Sequence, residues 1–373
     1  MDFSLSEFQK EIQQLAKKIL ADYCTQPRLR SAEGSDYFDT ELWQQLAEAG
    51  LLGLALPESV GGMAQNVETL AVVLEQLGAH VAPVPGISTL ATASLPLLPF
   101  VEQPAVQEAL SALSAGAGIL TCALAEPGVQ GDGIAHAVVE AADSHYYLSG
   151  EKIRVPAGLY ATHCWTVARQ GEEQGIYLFS CEDAGVNRQR QLTTSGEALA
   201  SMTLNRVKAM KIVAGEQVAT VLSAALIYQR AASAAVATGL CEGMLALASE
   251  HCSQRKQFGR ALGSFQAVAH QLADCYIDKE CLRTATEQVA VQLGQSGDES
   301  SAEGASLVAA YWATEALHRV SHRCQHVHGG TGVDRDYPLY RYCLQARQIE
   351  MDLGGQSSVL AALGEGIAAQ RVA

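Results

Sequence analysis

The chain has 373 residues, 48% of them hydrophobic and 17% charged, with 40 acidic against 25 basic side chains and a formal net charge of −15. That balance disfavours nucleic acid and anionic membrane surfaces as partners, and no run of ~18 consecutive apolar residues offers a membrane span. The N-terminus lacks the basic start and apolar run of a secretory leader, and the ten cysteines contain no C-x-x-C pair, so the expectation is a cytoplasmic protein without a disulfide framework.

Leu5, Phe8, Ile12, Leu15 and Ile19 recur at steps of three and four between charged residues, which predicts an amphipathic helix over 5–20. Asp39 or Thr40 caps a second helix that carries Trp43 and Leu46 and stops near Gly50. Val67, Leu70, Val73, Leu74 and Leu77 mark a third, ended by Gly78. Pro83 and Pro85 break the chain, and an Ala/Leu-rich helical stretch runs on to about residue 115.

From residue 118 the segments become short and β-favouring: Gly118–Leu124, His136–Val139, Tyr146–Val155, Cys164–Ala168 and Gly175–Ser180, with Ser149-Gly150 read as a turn. Helical periodicity returns in long blocks at 217–252, 263–293 and 303–328, then at 337–350 and 356–370. The polar run from Gln295 to Ser301 reads as a loop between the second and third blocks. Helices, then strands, then long helices, with no βαβ alternation and no G-x-G-x-x-G or Walker segment, argue against a doubly wound nucleotide-binding sheet. The expected fold is mainly α with a central β domain: a helical domain over 1–117, a β domain over 118–216 and a helical bundle over 217–373.

Three segments stand out: Leu56-Pro57-Glu58-Ser59-Val60-Gly61-Gly62; Arg255-Lys256-Gln257-Phe258-Gly259 with Phe265-Gln266; and His328-Gly329-Gly330-Thr331-Gly332 with Asp336-Tyr337-Pro338. Weaker ones are Ala123-Leu124-Ala125-Glu126-Pro127 and Leu148-Ser149-Gly150-Glu151-Lys152. Together, in this order across almost the whole chain, they resemble the acyl-CoA dehydrogenase family of flavoproteins. The resemblance implies an N-terminal helical domain, a β-barrel-like middle domain and a C-terminal four-helix bundle. It also implies FAD bound between subunits and an acyl-CoA substrate. In that chemistry a carboxylate removes the α proton while the β hydrogen leaves as hydride to the flavin.

The chain departs from the family at the reacting centre. Aligned from His328-Gly329-Gly330, the usual catalytic glutamate falls on Leu353, and the alternative carboxylate before an arginine of the first long helix falls on Gln229-Arg230. Asp352 is the candidate for a relocated base, although a neighbouring side chain points elsewhere and a solvated role competes with that reading. The family's Thr-Glu-Pro reads Ala125-Glu126-Pro127, its following serine is missing from Gly128-Val129-Gln130-Gly131-Asp132, and its Trp-Ile-Thr strand reads Arg154-Val155-Pro156. Proline offers neither a hydroxyl nor an N–H to a flavin ring.

The half that reaches a neighbouring subunit's FAD is better kept, in Arg255, Phe258, Phe265 and Gln266. Arginine's planar fork suits diphosphate oxygens, and the Gly329-Gly330 pair permits close backbone approach. His326 stands where the family has a glutamine. Arg255 also reads as a surface ion-pair partner and Arg230 as structural. His318, His322 and His326 share a helix face, yet without an H-E-x-x-H glutamate no metal site is expected. Cys241, Cys252, Cys275 and Cys281 read as small apolar packers.

The resemblance therefore implies one half of a heterotetrameric enzyme of lipid metabolism, whose paralogous partner subunit supplies the base, as in members that desaturate CoA esters of sterol side chains in steroid catabolism. Two other readings stay open: a self-sufficient homo-oligomer with a relocated base, and a non-catalytic acyl-CoA-binding scaffold.

Overall fold

A computed structural model describes residues 4–128, 135–142, 145–197, 199–296 and 299–372. The chain divides into a helical unit (Met1–Leu29, Asn66–Ala82 and Arg230–Ala373) and a β-containing unit (Arg30–Gln65 and Pro83–Gln229). The N-terminal hundred residues contribute to both.

In the helical unit, α1 (Glu7–Tyr23) begins at a capping box, where Gln9 N–H donates to Ser6 Oγ and Ser6 N–H donates to the Gln9 side chain. Its buried face is Ile12, Ala16 and Leu20 with Gln9, while Phe8 and Leu15, expected on that face, are 37% and 38% exposed. The stripe is narrower than the hydrophobic period suggests, because alanine completes it. Helix α4 (Val67–Ala79) is capped by Asn66. The long helices follow as α6 (Gln217–Gln254), α7 (Gln266–Ser296), α8 (Glu303–His328), α9 (Leu339–Asp352) and α10 (Gly355–Val372).

Gly78 lies inside α4 instead of ending it. A Cβ there would come 2.1 Å from Val236 O, and one at Gly239 would come 1.8 Å from Glu75 O, so the α4 and α6 backbones touch where only glycine fits. Helix α6 is long and apolar enough to cross a membrane, a property the sequence reading did not credit to it. However, 72% of its most apolar stretch is buried within the protein, as in a core helix.

In the β-containing unit, Asp39 accepts from Leu42 N–H at 3.0 Å and so is the cap of α3 (Thr40–Glu48). A short helix, α2 (Gln26–Glu33), precedes it unforeseen. The Ala/Leu-rich stretch is not one helix. It is a π-helical turn over Gly86–Ala93, a 3-10 segment over Leu95–Phe100 containing Pro96 and Pro99, and then α5 (Pro104–Ser114). Proline removes the donors a continuous α-helix would need.

The strands are β1 (Leu120–Ala123), β2 (Val138–Ala142), β3 (His145–Pro156), β4 (His163–Gln170), β5 (Glu173–Ser180), β6 (Val186–Gln191) and β7 (Leu199–Ala214). Pairing runs β4-β2-β3-β7-β5 and returns to β4, so these five strands close on themselves as a barrel; β1 joins β4 in parallel and β6 pairs with β7. Strands β6 and β7 were not anticipated. The alternation of Ala200, Met202 and Leu204 is broken at Arg206 (φ 52°) before Val207 and Ala209 resume on the same face. Ser149-Gly150 is not a turn but lies within β3, where the register shifts; a Cβ on Gly150 would sit 2.8 Å from Ala137.

Candidate functional site

The helical unit carries the best-kept motif on a tight hairpin. Strands β8 (Lys256–Gln257) and β9 (Arg260–Ala261) are joined by Phe258 and Gly259, both in the left-handed region (φ 53° and 81°). A two-residue turn of this kind favours Asn-Gly, so phenylalanine at its first position holds strain. The side chain is 93% exposed and meets Phe265 edge-on at 6.2 Å, while Arg260 lies 4.0 Å over the Phe265 ring. Arg255 and Lys256 are exposed, and neither forms an ion pair among the described residues. Gln266 opens α7, also exposed. On a chain with a net charge of −15, this is a local cluster of cations around an aromatic tip.

The Gly329-Gly330 turn ends α8. Gly329 has φ 61°, both glycines are exposed, and a Cβ at either would meet no atom within 4 Å. The backbone there faces open space, which suits an incoming anion. The turn and the hairpin are tied together: His251, on the last turn of α6 before Arg255, stacks on His328, the last residue of α8, with ring centroids 4.4 Å apart. His326 is exposed and its Nδ1 lies 3.0 Å from Gln271 Oε1. Open backbone, uncommitted guanidinium and an exposed ring are chemistry suited to an anionic, aromatic ligand.

Leu353, where the resemblance leads one to expect the base, is built differently. Leu353 caps the C-terminal end of α9 and packs against Leu307, Ala310 and Val359, with Tyr311, Ala362 and Leu363 around them. It is part of an apolar cluster between α8 and α10. Asp352 is exposed and accepts from Gln348 Nε2 at 3.0 Å. His318 on α8 meets Glu350 and Arg347 on α9, so this end of α9 lies ten residues, about 15 Å along α8, from His328. Arg230 is half-buried; burial lowers its guanidinium from the usual value, and the charge of Glu303 partly offsets that.

In the β-containing unit, Glu126 and Lys152 form an ion pair at 2.5 Å with side chains only 2% and 1% exposed. Lys152 also donates to Val167 O at 2.7 Å, and Glu126 accepts from the N–H groups of His136 and Ala137 at 2.5 and 3.2 Å. Burial alone would push the Glu126 carboxyl up, but the Lys152 hydrogen bond and charge and the two backbone donors hold it below its ordinary value. Ala125 bridges Ile153 across β3. Arg154 is in the left-handed region (φ 52°) with its N–H on Gln191, and Pro156 O accepts from Thr121. The expected loss of a serine in Val129–Asp132, and part of the polar loop at Gly297-Asp298, lie outside the described residues.

The rings of His318 and His322 are 4.8 Å apart, and no group of three or more His, Cys, Asp or Glu side chains capable of holding a metal occurs among the described residues. Cys241, Cys252 and Cys275 are buried, whereas Cys281 is only half-buried. A cavity of about 170 Å³ in the helical unit, lined by Gln9, Glu68, Glu75, Arg283 and Glu287 among others, takes none of the sequence-predicted site residues. His251 was missed, for a single histidine in an apolar helix carries no signal of a partner far along the chain.

Comparison with known proteins gives two family matches: the acyl-CoA dehydrogenase N-terminal domain over residues 6–123 and the acyl-CoA dehydrogenase C-terminal domain over residues 217–364. The acyl-CoA dehydrogenase FadE27 of Mycobacterium tuberculosis is 35% identical, the alignment covering 99% of each chain. Among solved structures, a variant of the steroid ACAD Tcur3481-Tcur3483 is 39% identical with a TM-score of 0.89, covering 99% of this chain and 100% of that one. The ChsE4-ChsE5 complex from Mycobacterium tuberculosis is 32% identical, also with a TM-score of 0.89, covering 99% of both.

Proposed function

The chain belongs to the acyl-CoA dehydrogenase family, an FAD-binding oxidoreductase fold, and from that premise we propose that it is the base-lacking subunit of a two-chain acyl-CoA dehydrogenase. The observation that carries this reading is Leu353. Where the family's base is expected, the chain has a half-buried leucine packed against the apolar cluster of Leu307, Ala310 and Val359. A carboxylate returned to that half-buried position would be partly desolvated against apolar side chains.

In this reading Arg255, Phe258, Phe265, Gln266, His326, Gly329 and Gly330 form the surface that this subunit lends to FAD shared with a paralogous partner. Arg255 provides a planar guanidinium for diphosphate oxygens, the Gly329-Gly330 backbone allows their close approach, and Phe258 presents an aromatic face. Bound FAD supplies the hydride acceptor for α,β-desaturation of a CoA thioester. The partner chain owns the carboxylate that takes the α proton. The likeness at 39% identity to the steroid ACAD Tcur3481-Tcur3483, and at 32% to the ChsE4-ChsE5 complex, supports both the two-chain assembly and a bulky sterol side-chain ester as substrate.

The test is co-expression. Alone, the full chain is expected to retain little flavin and to leave acyl-CoA thioesters unoxidised. Purified with its paralogous partner, it gives a yellow complex, one whose turnover survives Asp352→Asn in this chain. Full FAD occupancy with thioester oxidation by the chain alone would overturn the proposal, and loss of that activity in Asp352→Asn would identify the relocated base.

A further inference from the structure

His251 and His328 are tied into the ends of two different helices. The carbonyl of His251 accepts from Arg255 N–H at 2.9 Å, so the ring stands one turn before the hairpin; His328 directly precedes Gly329. The imidazoles stack at 4.4 Å with planes 32° apart, and the Tyr337 ring lies 5.0 Å from His328. Hydrogen bonds fix the tautomer. His328 Nδ1 is 2.6 Å from Cys324 O, which can only accept, so Nδ1 carries the proton. In the neutral ring Nε2 therefore accepts, and the Tyr337 hydroxyl donates to it at 3.0 Å. The end of α6, the end of α8 and the segment entering α9 are thus joined through three aromatic side chains.

We propose that His251, His328 and Tyr337 act as a positioning unit that sets the Phe258 hairpin against the Gly329-Gly330 turn, and that they do so only while both imidazoles are neutral. This rests on the reading of those two segments as one flavin-binding surface. Burial lowers both histidines, and for His251 the charges of His328 and Arg255 lower it further. For His328 the backbone carbonyls of Cys324 and Leu247 offset part of the effect. The other titratable groups nearby, Glu250 and Cys252, act on Tyr337. Neither imidazole is hydrogen-bonded to a carboxylate among the described residues, so only the two backbone carbonyls at His328 favour a proton gained by the stack. Protonation sets a cation against its neighbour and against Arg255, next to the hairpin's own cations.

The sign follows from linkage. With folded-state values below the ordinary histidine value, the loosened form binds more protons, so the clamp is fully held above about pH 6.5 and weakens below it. Hydrogen–deuterium exchange of the amides at 255–262 in the full chain, corrected for intrinsic rates, reads the clamp without flavin. Wild-type protection should fall below pH 6.5 by up to about tenfold per pH unit. His251→Phe keeps a ring without a titrating nitrogen and should make the pH profile shallower, leaving only the dependence that His328 contributes. His251→Ala should lose it at every pH, with circular dichroism confirming the helices. An unchanged pH profile in His251→Phe, or wild-type protection in His251→Ala at pH 7.5, would overturn the proposal. A parallel series measures FAD retained by the co-expressed complex. If exchange behaves as expected while flavin is absent at all pH values, the flavin reading fails and the positioning role stands.

Discussion

The kept motif residues of the two units do opposite things. In the β-containing unit, Glu126 and Lys152 are buried, and both have every strong partner they need inside the chain. In the helical unit, Arg255, Phe258, Gly329 and Gly330 are exposed, one on a strained turn and two facing open space. The first pair is explained by the fold alone. The second set holds strain and exposure that the fold does not require, which is what a surface serving another molecule looks like. Ala125 and Pro156 lie beside the first set and carry only the bridge of Ala125 to Ile153, the β3 strand pairing and the Thr121 hydroxyl on Pro156 O. The proposed function thereby separates residues kept for structure from residues kept for binding within one chain.

The sharpest test of that separation is Lys152→Met. It leaves the Glu126 carboxylate buried without its cation and should cost about 3–5 kcal/mol in denaturant unfolding. Adding Glu126→Gln should recover a large part of that loss; no recovery would mean the pair is not the unit of stability. The same pair predicts acid sensitivity. A carboxylate held below its ordinary value contributes stability above about pH 4.3 and loses it as pH falls through the lowered value. Acid unfolding of the double variant should therefore be shallower than that of wild type.

Leu353→Glu addresses the other side of the comparison. A carboxylate among Leu307, Ala310 and Val359 should destabilise the chain by about 1–3 kcal/mol and confer no dehydrogenase activity on it alone. A gain of turnover would show that the cluster opens onto a working site. The smallest effect on stability belongs to Phe258→Gly. Relief of the φ 53° strain offsets the added freedom of the unfolded chain, so stability changes by less than about 1 kcal/mol. Flavin retained by the two-chain complex should nevertheless fall about tenfold by equilibrium dialysis. A large stability loss would return Phe258 to the structural class.

Much of the helical architecture was legible because long helices bury one repeating face: the expected block 303–328 coincides with α8, and Asp39 caps where its side-chain oxygen precedes an apolar period. The β region was legible only in part. Strand β7 changes phase at Arg206, and a period of two interrupted by a bulge reads as no period at all. Gly78 and Gly150 were read as punctuation because glycine in a sequence signals a break. In the fold both mark places where two backbones come too close for a side chain.

By itself the sequence determined the family motifs and their order, and that position 353 carries a leucine, since these are identities at positions and need no coordinates. Only the tertiary structure decided what surrounds them: that Leu353 is packed into α8 and α10, that Lys152 closes on Glu126, and that His251 stacks on His328. Each of those is a contact between residues distant in the chain. Local propensity and periodicity report which face a residue presents, whereas its partner is chosen by how the elements pack.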